Sequence, residues 1–337
     1  MHPREPRPRR RAGAPRGGEV KLRPPQPETP AADAFRIHRA KVDGDLELGF
    51  IREGIGGYPL LLVHGYPETK RIWWRNIRAL AEAGFEVIVP DLRGYGDSDL
   101  SKDDAYDLVL YSRDCRTLVH DVLGHPRCGA IAGDVGGVVI CDLANRFPGF
   151  VERMIFFNTV PPTDFANPGW YAERGLSLMP LPDGPTGDYR IRQGRDPQAL
   201  IAELDSPDRC RRYLRDFYEH RLWASSGSFD DADIDFMIEP FADIRKLAAS
   251  WAPYQLQYGR KMSEMPMLGP VETPTLVLYG PEDRVVPDDF VKRCEAGFRN
   301  RVGPVVVPEA GHFLQWERAD VLNGLAIHYF EALKSRR

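Results

Sequence analysis

The sequence is poor in cysteine, and the cysteines it has suit neither a zinc site nor a disulfide framework. Among 337 residues there are five, scattered and never spaced as C-x-x-C: Cys115, Cys128, Cys141, Cys210 and Cys294. An odd, scattered set is typical of a reducing compartment. We therefore expect a cytoplasmic protein.

Long apolar runs, an excess of charge and common cofactor motifs are also absent. The longest apolar runs, residues 60–63 and 154–157, fall far short of the roughly 18 residues that span a membrane. The formal net charge is −4, so no basic field favours nucleic acid as a partner. There is no Walker motif and no H-E-x-x-H, and the glycine cluster at 54–57 precedes a strand rather than following one. The sequence therefore predicts no metal site and no bound cofactor.

The first 32 residues differ in composition from the rest. They contain eight prolines and seven arginines, with almost no apolar residues. Such a segment cannot bury enough surface to offset its loss of conformational entropy, so residues 1–32 are predicted to be a disordered basic tail. The segment has no apolar core of a secretory signal. An inert extension and a tether to an anionic surface both remain open.

From residue 33 the pattern becomes one of alternating strands and helices. Short apolar runs alternate with helical periodicity up to about residue 162, and again from about residue 263. This alternation predicts a mostly parallel sheet covered on both faces. Residues 163–262 are rich in aromatic side chains and loops, without clear strands. We expect one α/β core, made of residues 33–162 and 263–337, interrupted by a helical insertion at 163–262.

The most informative motif is A-G-D-V-G-G at residues 132–137, between a predicted strand and a predicted helix. Small residues in such a turn let the strand and the helix approach closely and push the central side chain out above the carboxyl edge of the sheet. That side chain is Asp134, where a nucleophile elbow usually has serine. An ordinary helix N-cap would also favour aspartate there, and the motif alone does not separate the two interpretations.

The H-G-Y-P motif at residues 64–67 ends an earlier apolar strand. In a hydrolase sheet this loop supplies a backbone N–H to an oxyanion hole. Here the donors would be the amides of Tyr66 and Val135.

Two later strands end in the remaining parts of a triad. L-Y-G-P-E-D at residues 278–283 supplies an acid, Asp283 in preference to Glu282, and A-G-H-F at 310–313 supplies His312. The order nucleophile, acid, histidine, each at the carboxyl end of a strand, is the order of an α/β-hydrolase triad.

Taken together, the motifs HGYP, DLRGYGDSD, AGDVGG, LYGPEDRVVP and AGHF resemble those of α/β-hydrolases of the epoxide hydrolase and dehalogenase branch. The resemblance covers about residues 33–337. It implies an α/β-hydrolase core with a mostly parallel sheet and a helical cap inserted after strand 6.

An aspartate in place of serine changes the reaction that the site can perform. A carboxylate is already anionic near neutral pH and can attack a saturated carbon without a base, which gives an alkyl ester of the enzyme. His312, oriented by Asp283, can then activate water against that ester. Esterase and lipase chemistry are disfavoured on this ground.

An epoxide also needs an acid for its opening oxygen, and the resemblance implies that tyrosines of the cap supply it. By match to the family's cap segments these are Tyr189 and Tyr258, with Tyr254 as the competitor of Tyr258. The residues expected to contact the substrate are Tyr66, Pro67, Val135, Asn158 and Tyr254.

The predicted function is hydrolysis of an epoxide to a vicinal diol, without a cofactor. The expected partners are water and a small hydrophobic substrate, and a homodimer remains open. One alternative is a haloalkane or haloacid dehalogenase that uses the same aspartate, although Val135 stands where many dehalogenases have a halide-binding tryptophan. A second alternative, from another class, is a non-catalytic small-molecule receptor on a hydrolase fold.

Overall fold

The computed structural model describes residues 23–161, 169–176, 185–219, 223–286 and 289–336. Within them the chain forms one eight-stranded sheet. The strands, in chain order, are β1 (His38–Asp43), β2 (Leu46–Glu53), β3 (Tyr58–Val63), β4 (Phe85–Pro90), β5 (Cys128–Gly133), β6 (Val151–Phe157), β7 (Thr275–Tyr279) and β8 (Arg301–Val306).

The sheet is mostly parallel, as predicted. Its strand order is β1-β2-β4-β3-β5-β6-β7-β8. Strand β2 runs antiparallel to both of its neighbours, while β3 through β8 pair in parallel. All six residues of each of β3, β4 and β5 are buried, which requires cover on both faces. This explains why the three strands are almost entirely apolar, with Glu86 of β4 as the charged exception.

The helices of the core cover this sheet. They are α1 (Trp74–Glu82), α2 (Leu108–Arg116) with a π-helical extension (Thr117–Val122), α3 (Asp134–Arg146) and, after the insertion, three further helices. The helices of the insertion are α4 (Trp170–Glu173), α5 (Pro185–Arg195), α6 (Pro197–Glu203), α7 (Pro207–Tyr218), α8 (Asp231–Ile238), α9 (Ile244–Ser250) and α10 (Ala252–Gln255). The three that follow it are α11 (Phe290–Gly297), α12 (Leu314–Glu317) and α13 (Ala319–Phe330).

Short 3₁₀ helices complete the list: Lys70–Trp73, Glu239–Ala242, Leu256–Tyr258 and Glu331–Arg336. Between β6 and β7 the described residues form helices and loops and no strand. The insertion therefore follows strand 6, and its described part is helical, as the resemblance implies.

Residues 23–32 differ from the prediction of a disordered tail. Arg23 donates to the hydroxyl of Ser225 in the insertion at 2.7 Å, and Thr29 donates to Asp233 on α8 at 2.6 Å. Gln26 donates to the main-chain carbonyl of Glu317 in the core at 3.0 Å. Prediction from composition fails here because buried partners on the folded core satisfy the polar groups of this segment. The rest of the predicted tail, residues 1–22, lies outside the described residues.

In the part of the chain that the structure describes, no helix combines the length and the apolar character that crossing a membrane requires.

Candidate active site

Asp134 occupies the turn between β5 and α3. Its backbone φ is +46°, a left-handed conformation that costs energy for a residue with a side chain. The turn is possible because Gly136 lies against β3, where a Cβ would come within 2.5 Å of the main-chain oxygen of Val63. A Cβ at Gly65 would likewise meet the side chain of Asp134 at 2.5 Å. Gly65 and Gly136 thus make room for Asp134, whose backbone is strained.

The two oxygens of this carboxylate have different partners. The main-chain amide of Tyr66 donates to Oδ1 at 2.7 Å, whereas Oδ2 lies 3.3 Å from Nε2 of His312. Val135, in the first turn of α3, lines the cavity beside Asp134. Asp134 therefore contacts the H-G-Y-P loop and the histidine, and the N-cap position of α3 is taken by Gly133.

His312 and Asp283 are joined as the motifs predicted. Nδ1 of His312 lies 2.8 Å from Oδ2 of Asp283. The other carboxylate oxygen, Oδ1, accepts from the amides of Val285 at 2.7 Å and Val286 at 3.3 Å. A carboxylate only accepts, so Nδ1 carries the hydrogen and Nε2 faces Asp134. Burial acts to lower the pKa of His312, but Asp283 and Asp134 outweigh it and raise the pKa well above 6.5.

Asn158, predicted to contact substrate, has its amide engaged elsewhere. It ends β6 with φ +44° and donates from Nδ2 to the carbonyls of Gly311 at 2.6 Å and His312 at 3.2 Å. Its Oδ1 accepts from the amide of Gly280 at 2.9 Å. Asn158 lines the cavity, but its hydrogen bonds tie together the loops that carry the histidine and the acid.

Two buried acids beside the triad were not found from the sequence. Glu317 accepts from the amides of Gly311 at 2.8 Å, Phe313 at 2.9 Å and Ser225 at 2.9 Å. Glu317 is also the last residue of α12, and the helical geometry is interrupted at Arg318 before α13 begins. The only sequence signal for this role is an acid four residues after Phe313, which is ordinary in a helix.

Glu68 is the second of these acids. It accepts from the amide of Gly65 at 2.6 Å and from Nε2 of Gln315 at 2.8 Å. Burial and the nearby charge of Asp134 raise its pKa to about 8. Glu68 follows the H-G-Y-P motif directly, and that adjacency was the available signal.

A cavity of about 240 Å³ opens above Asp134. Seven of the residues of its wall are apolar. The other seven are polar or charged and come from both the core and the insertion. The wall is formed by Leu108, Asp134, Val135, Val138, Asn158, Thr159, Val160, Tyr189, Arg190, Pro253, Tyr254, Val285, Val286 and His312. Pro67, predicted at the substrate, is buried outside this wall, and its carbonyl accepts from the hydroxyl of Tyr218. Tyr66 contributes its amide, while its ring is buried against that of Tyr254, with centroids 5.3 Å apart.

The structure brings Tyr189 to this cavity and does not bring Tyr258. Tyr189 is 5% exposed, and its ring lies edge-on to that of Tyr254, with centroids 5.6 Å apart. Tyr258 is 41% exposed and packs on Gly194 instead. The reason is local: α10 ends at Gln255 and the chain tightens into a 3₁₀ turn, so Tyr254 faces the site and Tyr258 does not. The competitor weighed in the sequence analysis, Tyr254, is the one that lines the cavity.

The two tyrosines of the wall remain protonated over a wide range of pH. Burial raises the pKa of Tyr189 to about 12, although Arg190 beside it acts to lower this value. Burial also raises the pKa of Tyr254 well above 10. The site thus joins an anionic group, a histidine–aspartate pair and two neutral proton donors around one cavity.

Comparison with known proteins shows the family of this chain. The sequence model of the family described as alpha/beta hydrolase fold matches residues 58–319. Epoxide hydrolase 4 of Mus musculus is 25% identical over 285 residues, covering 84% of this chain and 76% of that protein. Soluble epoxide hydrolase of Corynebacterium sp. is 38% identical over 124 residues, covering 37% of this chain and 42% of that protein. The solved structure of epoxide hydrolase CorEH without ligand superposes with a TM-score of 0.75 at 25% identity, covering 89% of this chain and 99% of that one.

Proposed function

The chain belongs to the α/β-hydrolase fold family, and from that premise we propose that it opens an epoxide to a vicinal diol through an ester on Asp134. The observation that carries this proposal is a carboxylate at the strained turn, 3.3 Å from a histidine, facing two tyrosines across one cavity. A carboxylate attacks saturated carbon, and a neutral phenol can protonate the oxygen that leaves. Relatives named epoxide hydrolases support the same reaction class.

The first step is ring opening. Oδ2 of Asp134 attacks an epoxide carbon, and the bond between that carbon and the ring oxygen breaks. The electron pair stays on the ring oxygen, which takes a proton from Tyr189 or Tyr254. The product is a hydroxyalkyl ester of Asp134 and one tyrosinate.

The second step is hydrolysis of that ester. Ester formation removes the charge of Asp134, so the pKa of His312 falls. The proton that His312 loses returns the tyrosinate to its neutral form. The neutral imidazole takes a proton from a water molecule, which attacks Cγ of Asp134. The amide of Tyr66 already contacts Oδ1 at 2.7 Å and stabilises the oxyanion that forms there. The bond between Cγ and Oδ2 then breaks, and Oδ2 leaves with the substrate as an alkoxide that takes a proton from His312 to complete the diol. The carboxylic acid left on Asp134 gives its proton back to His312, which restores the starting state.

The dehalogenase alternative receives less support from the cavity. Dehalogenases of this fold hold the departing halide with N–H donors, commonly from an indole. None of the described residues of the cavity wall is a tryptophan, and Val135 stands directly after the nucleophile. We therefore favour epoxide opening over dehalogenation as the reaction of this protein.

A single turnover in H₂¹⁸O tests the proposal. With enzyme in excess over styrene oxide, the first diol should carry an oxygen from Asp134, because water attacks Cγ and not the substrate carbon. The heavy oxygen should then appear in Asp134. Solvent label in the first diol would reject the ester, and halide release from 1-chlorobutane without diol from any epoxide would favour the dehalogenase. Ligand binding without any turnover would favour the receptor.

A further inference from the structure

Arg190 is a cation in the wall of the cavity, and its contact with Tyr189 uses only one of its three nitrogens. It follows Tyr189 on α5, and its Nε donates to the Tyr189 hydroxyl at 2.8 Å. In the described part of the chain this is its only hydrogen bond, and no carboxylate lies within ion-pair distance of it. Among the described residues, the two terminal nitrogens of the guanidinium therefore have no hydrogen-bond acceptor.

Two arginines whose side chains are buried are each paired with an aspartate. Arg93 lies 2.5 Å from Asp114, and Arg75 lies 3.2 Å from Asp233. Such pairing is the usual requirement for a guanidinium removed from water. Arg190 differs from both, since it lies partly exposed at the cavity wall, and no carboxylate of the described residues is within ion-pair distance.

The hydrogen bond to Tyr189 determines which N–H groups of the guanidinium can bind a ligand. A bond through Nε holds one edge of the planar group and leaves the N–H groups of its terminal nitrogens to bind an acceptor. Two parallel N–H groups match the two oxygens of a carboxylate, which is the recognition that arginine performs better than lysine. The rest of the wall supplies no comparable fork, because its other polar side chains are single hydroxyls, an amide that is already bonded, and the reacting pair.

From these contacts we propose that Arg190 binds a carboxylate of the substrate, so that the protein acts on small epoxides that carry an acid group. The epoxide part of this statement rests on the proposed function, while the carboxylate part rests on Arg190. The cavity of about 240 Å³ is smaller than the range of about 300–1,000 Å³ that drug-sized ligands occupy. It fits a compact acid whose apolar part contacts Val138, Val160 and Val285.

The first experiment measures binding without chemistry. Cinnamate and cinnamamide have nearly the same shape and differ in charge, and neither contains an epoxide. Calorimetry with the wild type should give about tenfold or more tighter binding of cinnamate. This preference should disappear in Arg190→Met and be reduced in Arg190→Lys, which keeps the charge without the fork.

Arg192→Met is the matched control. Arg192 lies on the same helix and pairs with Glu203 at the surface, so its loss should leave the preference for cinnamate unchanged. Equal binding of the two compounds by the wild type, or a preference that survives in Arg190→Met, would overturn the proposal. Thermal unfolding of Arg190→Met shows whether the variant is folded, and Arg190→Lys gives a second reading if it is not.

The second experiment separates this inference from the proposed function. 3-Phenyloxirane-2-carboxylate and its carboxamide are offered as substrates, with detection of the diols. The wild type should favour the acid in kcat/KM, and Arg190→Met should raise KM for the acid alone. Equal turnover of acid and amide would remove the carboxylate site and keep epoxide hydrolysis. Tighter binding of cinnamate without diol from either compound would keep the carboxylate site and reject epoxide hydrolysis.

Discussion

The main-chain amide of Tyr66 lies 2.7 Å from Oδ1 of Asp134, so the carboxylate is held by one oxygen while the other faces His312. A carboxylate bound in this way has a defined attacking oxygen and a defined oxyanion position before substrate arrives. Because the two oxygens have different partners, ring opening and ester hydrolysis should be affected separately by mutation.

Asp134→Asn should abolish ring opening, because an amide oxygen is a far weaker nucleophile than a carboxylate. We expect a loss of at least roughly 10³-fold in kcat, measured as diol formation. Asp196→Asn makes the same chemical change at the N-cap of α6, where asparagine caps as well as aspartate, and it should keep full activity. Substantial activity in Asp134→Asn would exclude Asp134 as the nucleophile.

His312→Gln should stop the reaction after the first step. Ring opening does not use the imidazole as a base, whereas hydrolysis does, so the ester on Asp134 should accumulate. Mass spectrometry of the intact protein should show an increase equal to one substrate molecule, and peptide mapping should locate it at Asp134. If diol continues to form at the wild-type rate and no adduct appears, His312 is not the base.

Asn158→Ala should slow hydrolysis and destabilise the protein. The variant loses hydrogen bonds to Gly280, Gly311 and His312, which we expect to cost about 1–3 kcal/mol in the free energy of unfolding. Asn145 provides a matched control, since its Nδ2 also donates to two carbonyls, those of Met267 at 3.0 Å and Gly269 at 2.9 Å, away from the cavity. Asn145→Ala should lower stability without lowering kcat. Equal loss of kcat in both variants would show that Asn158 acts through stability alone.

The titration of Glu68 should make the free energy of unfolding fall as the pH rises. Its pKa is raised from 4.5 to about 8 in the folded protein. Between these two values the unfolded chain has lost the proton that the folded protein still holds, so the free energy of unfolding should fall as the pH rises. Glu68→Gln cannot titrate and should show a flatter profile by urea unfolding across this range. An unchanged slope would mean that Glu68 is ionised in the folded protein.

Deletion of residues 1–34 should lower the unfolding temperature. It removes the bonds of Arg23, Gln26 and Thr29, which join the core to the insertion, and we expect a decrease of about 4 °C or more by calorimetry. Deletion of residues 1–22 is the control and should leave the temperature unchanged. A decrease that is already complete in the shorter deletion would show that these bonds are not its cause.

The sequence predicts the sheet, the triad residues and the position of the insertion because each follows from a local rule. Strand β7, Thr275–Tyr279, illustrates such a rule, since its apolar run is visible in the sequence and is bracketed by turns. Tyr254 and Tyr258 could not be separated in this way, because they lie one helical turn apart and only the tightening of the chain after Gln255 decides which faces the cavity.

Contacts between distant segments are the other part that sequence could not supply. The bonds of Glu317 to Ser225 and of Arg23 to Ser225 join residues far apart in the chain. Nothing in the local pattern around Arg23 distinguishes it from its arginine-rich surroundings. Such groups are recognisable only once the fold has brought their partners together.

The bonds of Asn158 also link the reacting groups to the sheet. The chain leaves the sheet immediately after this residue and returns at Thr275, yet Asn158 is hydrogen-bonded directly to the two loops that carry the acid and the histidine. The histidine loop has a second attachment, because the amide of His312 donates to the carbonyl of Trp223 in the insertion at 3.1 Å. A change of the insertion that keeps the backbone around Trp223 therefore leaves both attachments of the histidine in place.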